Sequence, residues 1–571
     1  MTMRHDNAAE DWPLRPWIMA AICAVAGVVF NQLADFSYNA ALSPLRQAGA
    51  TFVAVAAVSF VLTVEQRRWT WSLAFALGWG AVVALVGWFT ASYNQRGDLF
   101  EWPFLSGVFA VLLAAPLFQT VRDEGTWRFP YAKLHGHAWT DAVIGAASLA
   151  FVGIAFLLAW LIAGLFDLIG IDLIKKLLQK EWFGWMLAGF AFGSAVGLLR
   201  ERDALVATLQ RLVMVVLGVL APVLAAALAL FLLSLPFTGL TKLWDSSVPA
   251  TPMMLVAGAG AILLANAVIG NGAEDRVTNR VLRVAALALV LCVLPLAIIA
   301  AVSLGQRIGQ YGWTPERIWG VVAVAVAFGY GLAGWWAVAK ERREFDDLLR
   351  PLQTKMAIGL CGLALLLALP ILDFGGISAN SQIARLANGK VKPAEFDWKA
   401  MAFDFGPAGR KRLAEIAKRG PPEQRALATA ALASKNRYEV EQQVEKTVSA
   451  ANLDRYLRVV PQSAVLLPQL RDAVAGTRLC LDSACVVTLI DDQTAVIVGR
   501  SADTSVISFQ KAVRDKESWA TEMIYSDHVF GDRTPGTAQP SVDLATAPVE
   551  VRSVQRRQLF IDGKPVGGAF E

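Results

Sequence analysis

The stretch AVIGAASLAFVGIAFLLAWLIAGLF, residues 142–166, runs for 25 positions without a charged side chain. A helix rises about 1.5 Å per residue, so roughly 20 apolar residues cross a hydrocarbon core about 30 Å thick. Ten further apolar runs flank it, at 17–34, 48–64, 72–89, 104–121, 182–199, 212–235, 253–270, 284–304, 318–339 and 356–372. After Leu372 the runs stop, and about 200 residues with balanced charges follow. The composition agrees: 56% of the 571 residues are hydrophobic and 17% charged, against about 25% charged in soluble domains. Mean hydropathy is +0.47. The pattern predicts an all-α polytopic membrane bundle of about 11 transmembrane helices with a C-terminal extracytoplasmic α+β domain. The parts are residues 1–372 (membrane), 373–405 (connector), 406–470 (a small helical unit) and 477–571 (strand-rich).

Loop charge gives the orientation. With the N-terminus in the cytoplasm, the cytoplasmic segments hold 18 Lys and Arg, from Arg4 to Lys355, and the opposite segments hold 8, from Arg46 to Arg317. Such an excess marks the cytoplasmic side. The first run lacks a clean cleavage site and reads as a retained anchor. Three of the eight dissenting charges, Lys175, Lys176 and Lys180, lie in an amphipathic stretch, 168–180. There Ile171, Ile174, Leu177 and Leu178 fall on one helical face, as in an interfacial helix on the outer leaflet. The modest net charge of +5 gives no reason to expect nucleic acid.

Eleven spans leave the C-terminal domain outside. Cys23, Cys292 and Cys361 lie in apolar runs and read as small hydrophobes. Cys480 and Cys485 are the two cysteines of the polar domain, flanking a turn-like Asp482-Ser483. They can close a disulfide hairpin in an oxidising compartment or remain reduced core residues. Residues 406–461 are helical in pattern, with a Gly420-Pro421-Pro422 break. Residues 485–490 and 494–499 form a hairpin signature around Asp491-Asp492-Gln493, and 549–554 and 557–561 read as two more strands. Between the hairpin and those strands, 531–548 reads as a long loop.

Chemistry-bearing patterns are scarce. The chain has no phosphate-binding G-x-x-x-x-G-K-[ST], no H-E-x-x-H and no G-x-S-x-G. His135 and His137 form an H-x-H placed in a cytoplasmic loop, with too few neighbouring ligands for a metal. His528 stands beside Asp527 without an identifiable nucleophile. No catalytic residue, metal or cofactor is expected. Ionisable residues inside spans would point to transport, yet Asp35, Asp141, Asp167 and Arg211 read as span-end residues. Pro116, Pro222 and Pro295 interrupt three spans, and Asn31, Gln119 and Asn266 suit helix–helix hydrogen bonds. Gly189, Gly193 and Gly197 make a small-xxx-small ridge for close helix approach, within the chain or between two copies.

Several segments together carry a resemblance. They are Leu235-Pro236-Phe237-Thr238-Gly239-Leu240, Leu243-Trp244, Ala250-Thr251-Pro252, Asn266-Ala267-Val268, Tyr311-Gly312-Trp313-Thr314-Pro315-Glu316-Arg317, Ile377-Ser378-Ala379-Asn380-Ser381-Gln382 and Phe396-Asp397. The chain resembles, from about residue 142 to 409, the bacterial membrane-protein family catalogued as domain of unknown function four-one-five-three. The resemblance implies an inner-membrane protein and no activity.

In the topology above, 236–252, 306–317 and the start of 373–397 lie together on the outer side, and a shared platform is expected there. Thr314 suits a helix cap, Pro315 the first helical position and Glu316 the positive helix end. Arg317 is left to find a partner: Asp245, Asp373 or a lipid phosphate. Tyr311, Trp313, Glu316, Arg317, Asp245 and Asp373 are thus the candidate interaction residues. The leading expectation is a non-enzymatic inner-membrane protein presenting a periplasmic domain for scaffolding, sensing or protein contact. The alternative is a transporter or channel for an uncharged or lipid-like substrate. A membrane enzyme would need more span-end acids and bases than Asp245, Glu316 and Arg317. Expected partners are the bilayer, envelope proteins or lipid headgroups, with a homo-oligomer left open.

Overall fold

The computed structural model describes residues 12–34, 43–91, 98–239, 249–272, 277, 279–477, 479–480, 483–500, 507–515, 518–523, 543–550, 552, 557–561 and 564–570. The chain divides into two compact units: Met1–Gln382 with Asp404–Ala408, and Ile383–Phe403 with Gly409–Glu571.

The first unit is helical. Its long helices are α1 (Arg15–Ala34), α2 (Pro44–Thr63), α3 (Trp69–Thr90), α4 (Asp98–Glu124) and α5 (Tyr131–Leu168), then, after the short α6 (Leu173–Leu178), α7 (Glu181–Arg200) and α8 (Asp203–Thr238). They continue with α9 (Ala250–Ile269), α10 (Arg280–Tyr311), α11 (Pro315–Glu341) and α12 (Phe345–Ala368), and α13 (Phe374–Ala387) follows. Among the described residues eleven helices are long and apolar enough to cross a membrane, one for each apolar run. The protein is a multi-pass membrane protein. The helices extend past the apolar runs because polar first and last turns reach beyond the hydrocarbon. With 38 residues, α5 is about 57 Å long, well beyond that thickness. The helices run unbroken through Pro116, Pro222 and Pro295. The Thr120 hydroxyl donates to the Pro116 carbonyl at 2.7 Å, the bond to the residue four positions back that a helical Thr can make. The amphipathic stretch is shorter than expected: only Leu173–Leu178 is helical, and Lys175 and Lys176 pair with Asp167 and Asp172 at 2.8 and 2.6 Å.

Among the described residues, two apolar cores hold this unit. Met19 and Cys23 of α1, Val61 of α2, Ile144 of α5 and Val196 of α7 form one. Ala221 and Leu228 of α8, Ala261 and Leu264 of α9, Leu289 and Leu296 of α10, Val324 of α11 and Leu349 of α12 form the other. Small residues set the closest approach. A Cβ on Gly189, Gly193 or Gly197 would sit 2.1 Å from the Cys23 carbonyl oxygen, 2.3 Å from that of Met19 and 2.5 Å from the Pro16 Cα. The ridge is therefore the seat of α1 within the same chain. Gly27 of α1 answers it, with its own Cβ site 2.2 Å from the Trp185 carbonyl oxygen.

The second unit opens with helices. Trp398 is buried, ring to ring with Phe396 at 4.7 Å. Then come α14 (Gly406–Arg419), of which the part from Gly409 belongs to this unit, α15 (Pro422–Ala433) and α16 (Arg437–Tyr456). The helical reading of 406–461 ends early, because Leu457–Val460 is a strand, β1. After α17 (Pro468–Gly476), β1 pairs in parallel with β2 (Cys485–Asp491). The expected hairpin is β2 with β3 (Thr494–Arg500), antiparallel, and the unexpected β4 (Ile507–Asp515) and β5 (Ser518–Met523) extend the sheet in order β1-β2-β3-β4-β5. Leu453, Leu470 and Val474 cover one face, over Val487, Ala495, Ile497 and Ala512. β6 (Arg557–Ile561) and β7 (Lys564–Phe570) form a separate two-stranded sheet. Of the expected strand 549–554, the described positions 549, 550 and 552 are not strand. The loop 531–548 and His528 fall largely or wholly outside the described residues.

Candidate functional site

The polar residues of the membrane unit gather at the two ends of the bundle. At the end where α1 begins, they serve a helix terminus. The last turn of α2 leaves carbonyls without intrahelical partners. Side chains of three other helices and of the segment before α3 reach them or one another. Gln119 of α4 donates to Leu62 O at 3.2 Å, Ser72 of α3 to Thr63 O at 2.9 Å and Arg15 of α1 to Val64 O at 2.7 Å. Buried Arg122 also donates to Thr63 O and forms ion pairs with Glu65 and Asp123, while Arg68 donates to the Arg122 carbonyl. Asp141 accepts from Gln119 at 2.9 Å and from Arg200 of α7 at 3.2 Å.

α5 begins at Tyr131, ten residues ahead of Asp141, which stands directly before the apolar run 142–166. That early start corrects the H-x-H loop. His135 and His137 are helical and, two positions apart, diverge. His135 meets Asn271 at 2.5 Å, whereas His137 meets Asp123 at 3.0 Å. At the same end Arg350 donates to Ile269 O and Gly272 O at 2.9 and 3.1 Å, and Gln353 donates to Asn266 at 2.6 Å.

The opposite end joins two of the quoted motifs. α10 stops at Tyr311 because Gly312 takes a positive φ of 76°, open to glycine. Thr314 then caps α11, its hydroxyl accepting from the Arg317 amide, with Pro315 in the first turn. The Ser381-Gln382 pair of α13 clasps this turn. The Gln382 side chain donates to Tyr311 O at 2.9 Å and Trp313 O at 3.0 Å, and the Trp313 amide donates to Ser381 Oγ at 3.2 Å. Arg317 folds back: it donates to Gly312 O at 2.7 Å and lies 5.5 Å from the Tyr311 ring centroid. Asp373 is engaged elsewhere, its Oδ1 accepting from the Gly376 amide at 2.7 Å at the start of α13. Exposed Glu316 sits in the first turn of α11. Asp245, and residues 240–248 of the expected platform, lie outside the described residues.

One turn beyond this motif, Trp319 stacks on Trp102 at 6.0 Å and meets Phe374 edge-on at 5.3 Å. Trp319 and Phe374 border a cavity of about 220 Å³ walled by α3, α4, α11, the stretch from the end of α12 to the start of α13, and residues 405–408. Gly375 allows the closure, since a Cβ there would lie 2.5 Å from the Phe405 carbonyl oxygen. Sequence reasoning missed this cavity. Trp319 and Phe374 are unremarkable as interfacial aromatics, and only the packing of five separate segments encloses the space. In the second unit, the Sγ atoms of Cys480 and Cys485 are 2.00 Å apart, tying the turn after α17 to the start of β2. Cys480 is not on a strand, so the link does not close a β-hairpin.

No curated protein and no solved structure matches the chain. A family model described as a domain of unknown function matches residues 50–415, well over half of the chain, and spans both motifs of the clasp. The chain belongs to this family, DUF4153.

Proposed function

We propose that the protein is a bacterial inner-membrane scaffold or sensor, with its N-terminus in the cytoplasm and its C-terminal unit presented in the periplasm to envelope partners. One observation carries the reading against transport. The buried ionisable groups Arg122, Asp141, Arg200 and Arg350 are engaged with one another or with helix-end carbonyls, which makes them fasteners of the bundle. Intramembrane charges on a transport path would face a water-filled cavity. The excess of loop Lys and Arg on one side supports the orientation.

The test uses the full-length chain in a strain lacking the gene, grown under envelope stress. Under this reading, the function retained by Asp141→Asn and Arg200→Gln tracks the amount of folded protein in the membrane. A variant with wild-type abundance and melting temperature but no function would contradict it and favour transport.

A further inference from the structure

The cavity beside Trp319 has a chemistry the scaffold reading does not use. Its walls carry four aromatic residues, Phe89, Trp319, Phe374 and Phe405, on four different stretches of chain. Among the described residues that line it, Asp373 is the ionisable one, and no Lys or Arg joins it. Asp373 Oδ1 accepts the Gly376 amide, and Asp373 Oδ2 has no hydrogen-bond partner among the described residues. The C-terminal end of α12, through Leu367 and Ala368, forms another wall. That end bears the negative pole of the helix dipole. Two helix N-termini also line it, that of α13 through Phe374 and Gly375, which Asp373 caps, and that of α14 through Pro407 and Ala408, so the carboxylate is the group that turns the site toward a cation. Aromatic walls with one carboxylate suit a cation that also has apolar surface, because ring quadrupoles and the carboxylate both favour positive charge. A volume of about 220 Å³ falls below the range of roughly 300–1,000 Å³ for drug-sized sites, so it holds a headgroup rather than a whole amphiphile.

We propose that this cavity is a binding site for an organic ammonium group. The group comes from one of two sources, an aminophospholipid headgroup or a free amine. The proposal stands independently of the scaffold role and of the orientation.

Two arms on purified full-length protein separate the sources. In the first, native mass spectrometry in mixed phosphatidylethanolamine and phosphatidylglycerol micelles reads the retained lipid. In the second, protein in phosphatidylglycerol nanodiscs is titrated with choline and with 3,3-dimethylbutan-1-ol, its neutral isostere, by calorimetry. Retention of phosphatidylethanolamine over phosphatidylglycerol supports the lipid source, and choline binding at least tenfold tighter than the isostere supports the free amine. Asp373→Asn should weaken whichever is seen about tenfold without unfolding, because Asn caps a helix as well as Asp does. Trp319→Leu should weaken it too, and Glu316→Gln, outside the lining, should not. Equal retention of both lipids together with equal binding of choline and its isostere overturns the proposal, and that comparison needs no variant. Undiminished binding by a folded Asp373→Asn also overturns it.

Discussion

Replacing Gly193 by Ala adds one methyl group at the tightest seam of the membrane unit. Its Cβ would lie 2.3 Å from the Met19 carbonyl oxygen and 2.9 Å from the Ala20 nitrogen. Both are backbone atoms of α1, so no side chain can swing aside. Restoring ordinary van der Waals separation requires α1 and α7 to part by about 1 Å, and a gap of that size forfeits up to about half of each facing contact's dispersion energy. Overpacking of this kind costs about 1–3 kcal/mol. Gly184 supplies the control. It lies on the same helix, and nothing falls within 4 Å of its Cβ position, so Gly184→Ala should gain up to about 1 kcal/mol from helix propensity. Thermal unfolding of both variants in one detergent, followed by tryptophan fluorescence, should lower the midpoint by several degrees for Gly193→Ala and leave it equal or higher for Gly184→Ala. The oligomeric state should not change, because α1 occupies the ridge. A Gly193→Ala protein as stable as Gly184→Ala, or one that loses a dimer, would refute the reasoning.

Arg122→Ala should destabilise by about 2–3 kcal/mol, since it leaves Thr63 O and Glu65 without their buried charged donor; a midpoint unchanged from wild type would refute this. Arg317→Ala should cost about 1–2 kcal/mol through the lost bond to Gly312 O and the lost contact with Tyr311. Exposed Arg307→Ala should stay within about 0.5 kcal/mol, and equal shifts of the two midpoints would make Arg317 a plain anchor. Cys480 and Cys485 should appear as one disulfide-linked peptide in non-reduced digests of protein from native membranes. Reduction should cost no more than about 3 kcal/mol, because the loop is short, and free thiols at both positions would sink the pairing.

The spans were legible because a bilayer demands long uncharged runs, and the α11 start was legible because Thr314-Pro315-Glu316 is a local capping signal. The Gly189, Gly193 and Gly197 spacing announced a close approach, but not that α1 was the partner, since a ridge looks the same whichever helix it receives. The start of α5 was not legible because the helix runs about three turns ahead of its apolar run, through the polar residues from Tyr131 to Asp141. β4 and β5 escaped notice because their alternation is broken: in Ile507–Asp515 only the first and sixth positions are buried. β1 is four residues long, follows directly on a helix and is a strand only by virtue of its pairing with β2. The aromatic cavity depends on contacts between segments hundreds of residues apart, such as Phe89 and Phe374, which no local pattern records.

The placement of the C-terminal unit outside the cytoplasm underlies the scaffold reading. Alkaline phosphatase and green fluorescent protein fused in turn after Glu571, in matched expression strains, test it directly. The account predicts active phosphatase and a dark fluorescent fusion. A fluorescent fusion with inactive phosphatase would place the unit in the cytoplasm and contradict both the orientation and the periplasmic role.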